Sequence, residues 1–283
     1  MAQTLHHVLS ERPIWSNEVS RGPTAALVSG VALMIVAPAT GGTALYDNFS
    51  SGTINPGKWY AASSDYLTLD NVRQITADHQ LHLAATGYSP LQDDGGSTGG
   101  TYGLYFAHPE AIKGVSFAVK VNKALAKACP SNPAAEVVTG PEFRARFFNT
   151  QANPTSQLGD VEFAIGIDRR PYDMNGALAV SYIYQECADS NCSAVNTLGE
   201  GVLGTVQPGT TNRIGVVWDQ AHHRFVFTIN GQHGSIGYTA SDTSPAFDPE
   251  KQIDVARAIV NCGASPRPST SIDVNIDDVT VTQ

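Results

Sequence analysis

Apolar residues in this chain recur at every second position rather than every third or fourth. Val115, Phe117, Val119 and Val121 alternate with Ser116, Ala118, Lys120 and Asn122, and Val161, Phe163, Ile165 and Ile167 with Asp160, Glu162, Ala164 and Gly166. A period of two marks strands buried on one face. The same reading extends to Ala44–Phe49, Tyr66–Leu69, Val72–Thr76, Leu81–Ala85, Tyr102–Ala107, Glu142–Phe148, Leu178–Gln185, Arg213–Trp218, Phe225–Ile229, Ile253–Val260 and Ile272–Val281, all bounded by turn residues. Asn230-Gly231 after Phe225–Ile229 predicts a type I′ hairpin, because both central residues need φ > 0. No amphipathic helix competes. An all-β chain of this length is expected to pack as a two-sheet antiparallel β-sandwich.

One run breaks the alternation. From Thr24 to Ala44 the chain is apolar and closed by small residues, and Ala25–Ala39 has the length of a signal h-region rather than the ~20 residues of a membrane span. Residues 1–44 therefore read as a signal peptide, cleaved after Ala39 or Ala44, or else as a retained N-terminal membrane segment through residues 24–44. The balance of Arg12 and Arg21 by Glu11 and Glu18 removes the usual basic n-region and keeps the anchor open. Residues 45–283 form a single domain, secreted or periplasmic. The chain is 42% hydrophobic and 15% charged, enough for a substantial core, and its net charge of -9 excludes nucleic-acid binding by phosphate neutralisation.

Export places Cys129, Cys187, Cys192 and Cys262 in an oxidising compartment, where two disulfides are expected. Cys187 and Cys192 bracket a short polar loop and suit a local bridge, which would leave Cys129 for Cys262. Four cysteines permit three connectivities, and the sequence does not choose among them. Zinc spacing is absent, and none of the histidines follows a metal-ligand pattern.

The segment Leu45-Tyr46-Asp47-Asn48-Phe49, then Gly52-Thr53-Ile54-Asn55-Pro56-Gly57-Lys58-Trp59, resembles the opening of concanavalin A-like lectin/glucanase domains. Val216–Asp219 leading to Phe225–Gly231, and the closing Ile276–Val281, are similar to the central hairpin and last strand of laminin G-like jelly rolls. The resemblance implies a concanavalin A-like jelly roll and a function among lectins, polysaccharide hydrolases, lyases and adhesive modules.

Hydrolases of this type carry Glu-x-Asp-x-x-Glu on one strand, and that motif is absent. Asp160 and Glu162 share one face and are the weak catalytic candidates, but their order is reversed and Ile165 replaces the third acid. Gly95–Gly99 satisfies G-x-S-x-G formally, yet it reads as a glycine-rich loop without the strand and helix a nucleophile elbow needs. Binding is better supported. Glu142, Arg144 and Arg146 alternate with Phe143, Ala145 and Phe147, and with Lys120 and Glu162 they are expected to line one concave sheet that hydrogen-bonds sugar hydroxyls or a carboxylate. Tyr102, Tyr105, Tyr182 and Tyr184 are candidate sugar platforms, the last two equally readable as core. Asp273, Asn275 and Asp277 share a strand parity with Val279 and Val281, so the buried face must change near Asp277-Asp278. The resemblance brings the first and last strands together, and with them Asp47 and Asp277 or Asp278 as ligands of a structural calcium; no other cofactor is required. These readings describe a carbohydrate-binding or cell-surface adhesion module whose partner is a polysaccharide, a glycan or a cell-surface protein. A glycoside hydrolase or polysaccharide lyase is the alternative, and a structural extracellular protein the third reading.

Overall fold

The computed structural model describes residues 42–65, 68–94, 96–133, 137–171, 173 and 176–283. The expected signal or anchor up to residue 41 lies outside them. The strands in chain order are β1 (Thr43–Asp47), β2 (Trp59–Asp65), β3 (Thr68–Ile75), β4 (Leu81–Tyr88), β5 (Ser97–Phe106), β6 (Gly114–Lys127), β7 (Val137–Asn149) and β8 (Asp160–Asp168). They continue with β9 (Leu178–Cys187), β10 (Val195–Val206), β11 (Thr211–Asp219), β12 (Arg224–Ile229), β13 (Gln232–Gly237), β14 (Ser244–Pro245), β15 (Lys251–Val260) and β16 (Ser269–Thr282).

These strands make two antiparallel sheets of eight strands each. Sheet A has the order β13-β12-β11-β6-β16-β4-β3, with β1 added against β16; sheet B has the order β10-β9-β8-β7-β15-β5-β2, with β14 against β7. The expected all-β, two-sheet antiparallel sandwich is the observed architecture. Its core lies between the sheets. Leu81, Leu83, Phe117, Val119, Ile214, Phe225 and Val274 project from sheet A to meet Phe106, Phe143, Phe163, Ile165, Val180 and Ile253 of sheet B, all of them fully or almost fully buried. A register shift between Arg146 and Phe148 turns both Phe147 and Phe148 into this core, where they pack on Trp218, Phe225 and Tyr238.

Several elements differ from the sequence pattern. Thr68–Ile75 is one strand where two were expected. The edge strand β10 carries no usable alternation because Gly199, Gly201 and Gly204 interrupt it, and its pairing with β9 shifts register at Thr197/Gly199 and Val202/Gly204. Ser97–Gly99, part of the Gly95–Gly99 stretch expected as a loop, opens β5 and pairs with Val260–Ala258 of β15. Further along β5 the two backbones approach so closely that a Cβ on Gly103 would lie 2.2 Å from the Ile253 carbonyl oxygen. The absence of a side chain at Gly103 thus permits close strand pairing. The hairpin prediction holds: Asn230 and Gly231 have φ of 50° and 82° between the paired Ile229 and Gln232.

The first strand docks on the last. Thr43 pairs with Thr282 and Ala44 with Val281, so β1 begins inside the segment read as a leader. Cleavage after Ala39 would leave β1 whole, whereas cleavage after Ala44 would remove Thr43 and Ala44 from it. The Asp47 side chain then ties β1 to β2, accepting from the Trp59 indole at 2.7 Å and from the Phe49 amide at 2.9 Å. Both expected disulfides are present, Cys187–Cys192 with Cα atoms 4.7 Å apart and Cys129–Cys262 with Cα atoms 6.0 Å apart.

Trp59 is 1% exposed, so Trp59→Phe would keep most of the packing but leave a buried Asp47 oxygen without its donor. Urea denaturation is expected to show a loss of about 1–3 kcal/mol; unchanged stability would remove this contact from any structural role.

Candidate ligand-binding face

Strand alternation that sends Phe143 and Ala145 into the core sends Glu142, Arg144 and Arg146 to the opposite face of sheet B. The same logic on the neighbouring strands adds Glu162 and Asp168 from β8, Ser181 and Gln185 from β9, Gln252 and Asp254 from β15, Tyr105 from β5 and Tyr60 from β2. The register arranges them in rows across the strands. Tyr60 pairs with Tyr105, Tyr105 with Gln252, and Gln252 with Arg144, while Arg146 pairs with Glu162 and Glu162 with Gln185.

Although this face points away from the core, its charged side chains are buried: Glu142, Arg144, Arg146, Glu162, Asp168 and Asp254 are all at most 7% exposed. Burial of charge demands partners. Arg144 donates from Nε and Nη2 to Glu142 Oε1 at 3.2 and 2.9 Å. Arg146 lies 3.4 Å from Glu162 Oε2 and donates from Nη1 to Asp248 at 2.8 Å, and Gln185 donates to Glu162 Oε1 at 2.9 Å. Two adjacent carboxylates thus alternate with two guanidinium groups along one sheet.

Several polar atoms on this face have no hydrogen-bond partner among the described residues, and Gln252 is the neutral side chain with both of its polar atoms among them. Gln252 is 1% exposed, and neither its Nε2 nor its Oε1 has a hydrogen-bond partner among the described residues. It stands between Arg144 and a pair of stacked rings, Tyr60 and Tyr105, whose centroids are 4.9 Å apart at an interplanar angle of 23°. Tyr60 is 50% exposed. An exposed aromatic face, an unsatisfied amide and a guanidinium therefore succeed one another over four adjacent strands, roughly 14 Å at the usual strand spacing. Gln185 adds a second unsatisfied oxygen, Oε1.

The candidate residues separate into groups. Glu142, Arg144, Arg146 and Glu162 come together on this face as expected. Lys120 does not join them: it belongs to β6 in sheet A, where it is exposed on the other side of the sandwich. The two faces share a polar pattern, but only the sheet order reveals that they are different sheets. Asp160 is structural in its contacts. Its buried carboxylate accepts from Asn149 at 2.8 Å and from the amides of Phe247 and Asp248 at 2.9 and 3.2 Å, anchoring the segment before β15, and burial raises its pKa. Tyr105 lies on the face, while Tyr102 packs under Arg73 on the core side, Tyr182 stacks on Phe163 and Phe227, and Tyr184 packs at a tilt on Phe225.

Two of the carboxylates implied as calcium ligands, Asp47 and Asp278, have partners of their own. β1 and β16 are neighbours, with Asp47 opposite Val279, and the anticipated irregularity lies between Asp277 and Thr280, with Asp278 at φ 48°. Asp47, however, is engaged by Trp59 and Phe49, and the Lys58 ammonium sits 3.7 Å from it where a cation would compete. Asp278 faces Arg213 at 3.6 Å. Among the described residues no group of three or more His, Cys, Asp or Glu side chains is arranged to hold a metal.

Gln252, Asp254, Gln185 and Tyr60 were missed as site residues. The alternation of Ile253 and Val255 already marked Gln252 and Asp254 as the other face of β15, but nothing local showed that β15 lies beside β7.

No family model matches the chain, and no curated protein matches it. Among solved structures it is similar to a GlcNAcα1-4Gal-releasing endo-β-galactosidase from Clostridium perfringens, at 9% identity and a TM-score of 0.43 over 83% of this chain. The alignment spans 61% of that enzyme's chain. It is also similar to LamAcat from Zobellia galactanivorans, at 11% identity and a TM-score of 0.40 over 84% of this chain and 96% of the other. A protein of unknown function with a galectin-like fold from Bacillus subtilis aligns at 14% identity and a TM-score of 0.32 over 80% of this chain and 90% of the other.

Asp168 gives this face a pH dependence. Burial pushes its pKa from 3.8 up to about 7, the Ser181 hydroxyl bond opposing the shift. The folded state therefore keeps a proton that the unfolded chain releases above about pH 4, so the stability tied to it is fully present below about pH 4 and is lost progressively as pH rises to about 7, above which the loss is complete. Asp168→Asn is expected to match the parent near pH 4 and to exceed it by about 4 kcal/mol at pH 8. Urea midpoints at the two pH values check this, and equal differences at both would refute it.

Proposed function

We propose that this domain is an exported glycan-binding module whose ligand lies on sheet B across β2, β5, β15 and β7. The observation that carries the reading is Gln252, a buried amide with donor and acceptor unsatisfied beside an exposed tyrosine stack. Leaving such a group unpaired costs about 1–3 kcal/mol, which a ligand hydroxyl pair would recover. Tyr60 and Tyr105 supply a flat apolar platform for a sugar ring. The ion-paired row of Glu142, Arg144, Glu162 and Arg146 holds charged acceptors and donors rigid beside it. Two disulfides support an oxidising, extracytoplasmic location.

A second reading, a polysaccharide hydrolase or lyase, draws support from Asp168, a carboxyl near neutrality on the same face within the field of Glu142. A carboxyl poised there suits acid–base chemistry.

Binding of the residue 40–283 chain to a glycan array, followed by calorimetry on the strongest glycan, tests the first reading. Gln252→Ala and Tyr60→Ala are each expected to weaken binding at least tenfold, about 1.4 kcal/mol, with circular dichroism unchanged. Silence across the array would favour a structural extracellular protein. Reducing ends or unsaturated products released from a polysaccharide panel, and abolished by Glu162→Gln in a folded protein, would replace the binding reading with the enzyme.

A further inference from the structure

Sheet A carries a second, differently charged surface. Where β4, β16 and β6 run side by side, a groove of about 300 Å³ opens on the face turned away from the core, and the segment before β16 closes one end of it. The register sets its floor: Tyr88, Ser269 and Lys127 form one row, and Thr86, Ser271 and Leu125 the next. Lys123 and Arg267 complete its cationic lining, and no acidic residue is among those that line it. Lys123 and Lys127 are exposed and make no ion pair among the described residues, unlike the guanidinium groups of sheet B. Three cations therefore converge on one groove of a chain whose net charge is -9.

The groove has shape as well as charge. Tyr88 is 36% exposed, and the Arg267 guanidinium sits 5.4 Å from its ring centroid, so a flat aromatic surface adjoins the cations. The hydroxyls of Thr86 and Ser271, 3.4 Å apart, belong to the same lining. Its end wall is braced: the Cys129–Cys262 disulfide joins the chain just after Lys127 to the segment leading to Arg267. Arg267 donates to the Ser89 carbonyl at 3.3 Å, and the Ser89 amide donates to the Pro268 carbonyl at 3.1 Å. Preorganised walls lower the ordering cost of binding.

We infer that this groove is a second binding site, for an acidic sugar unit of a polysaccharide, its carboxylate or sulfate held by Lys123, Lys127 and Arg267 and its ring against Tyr88. Lysine and arginine match an anionic group, the aromatic face matches the ring, and the hydroxyls match its remaining oxygens. The site is on the opposite sheet from Gln252 and does not depend on the function proposed for that face.

Calorimetry with polygalacturonate and with dextran sulfate, and with neutral dextran as control, tests the inference on the residue 40–283 chain. Binding is expected in at least one anionic arm, and the stronger arm assigns carboxylate or sulfate. Lys123→Gln with Lys127→Gln is expected to weaken it at least tenfold, as is Arg267→Ala, whereas Gln252→Ala leaves it unchanged. Any of four results would overturn the proposal: no binding in either anionic arm at low salt, equal binding of dextran, full retention in the lysine pair variant, or complete displacement by inorganic sulfate at equal anion concentration.

Discussion

The last strand of the chain sits in the middle of sheet A. β16 is bonded to β6 on one side and to β4 and β1 on the other, so the sheet remains two separate halves until residues 269–282 arrive. Pairings so distant in sequence require large loops to close before they contribute. Once in place, β16 supplies Ile272, Val274 and Ile276 to the core and Ser269 and Ser271 to the opposite face. It also gives β1 an edge to dock on, which brings Asp47 within reach of the Trp59 indole. That contact links the first strand of sheet A to the outermost strand of sheet B, and so the two layers are tied by a charged hydrogen bond as well as by apolar packing.

Sheet B meets a different demand. A buried carboxylate or guanidinium is tolerated only when its partners are placed around it, and removal of one partner leaves the other stranded. The row from Glu142 to Glu162 satisfies this by alternating charge across β7 and β8, with Gln185 and Asp248 closing its ends. Such a network holds side chains in one geometry, which is what a recognition surface needs. Against that background Gln252 stands out physically, because it is a neutral amide with neither its donor nor its acceptor hydrogen-bonded among the described residues.

The two outer faces thus differ in kind. Sheet B presents paired, desolvated charge beside a tyrosine stack, suited to hydroxyl-rich ligands through fixed hydrogen bonds. Sheet A presents exposed, unpaired cations, whose attraction acts at longer range and is screened by salt. A sandwich can carry both because each sheet buries only one of its sides in the common core.

Much of this was legible in the chain itself. Strict alternation in Val115–Val121 and Val161–Ile167 determined that these are strands and which side chains face the core, and the alternation of Phe143, Ala145 and Phe147 determined that Glu142, Arg144 and Arg146 point the other way; Asn230-Gly231 determined a hairpin. These are local properties, set by a pleat that repeats every two residues. Where glycines erase the period, as in β10 and at the start of β5, the sequence was silent or misleading, because pairing with a neighbouring strand decided the conformation. Tertiary structure alone decided that Lys120 belongs to the opposite sheet from Glu162, that Asp47 serves Trp59, and that Gln252 stands beside Arg144. The physical reason is common to all three: alternation tells which face a side chain takes, but only the order of strands across a sheet tells what stands next to it.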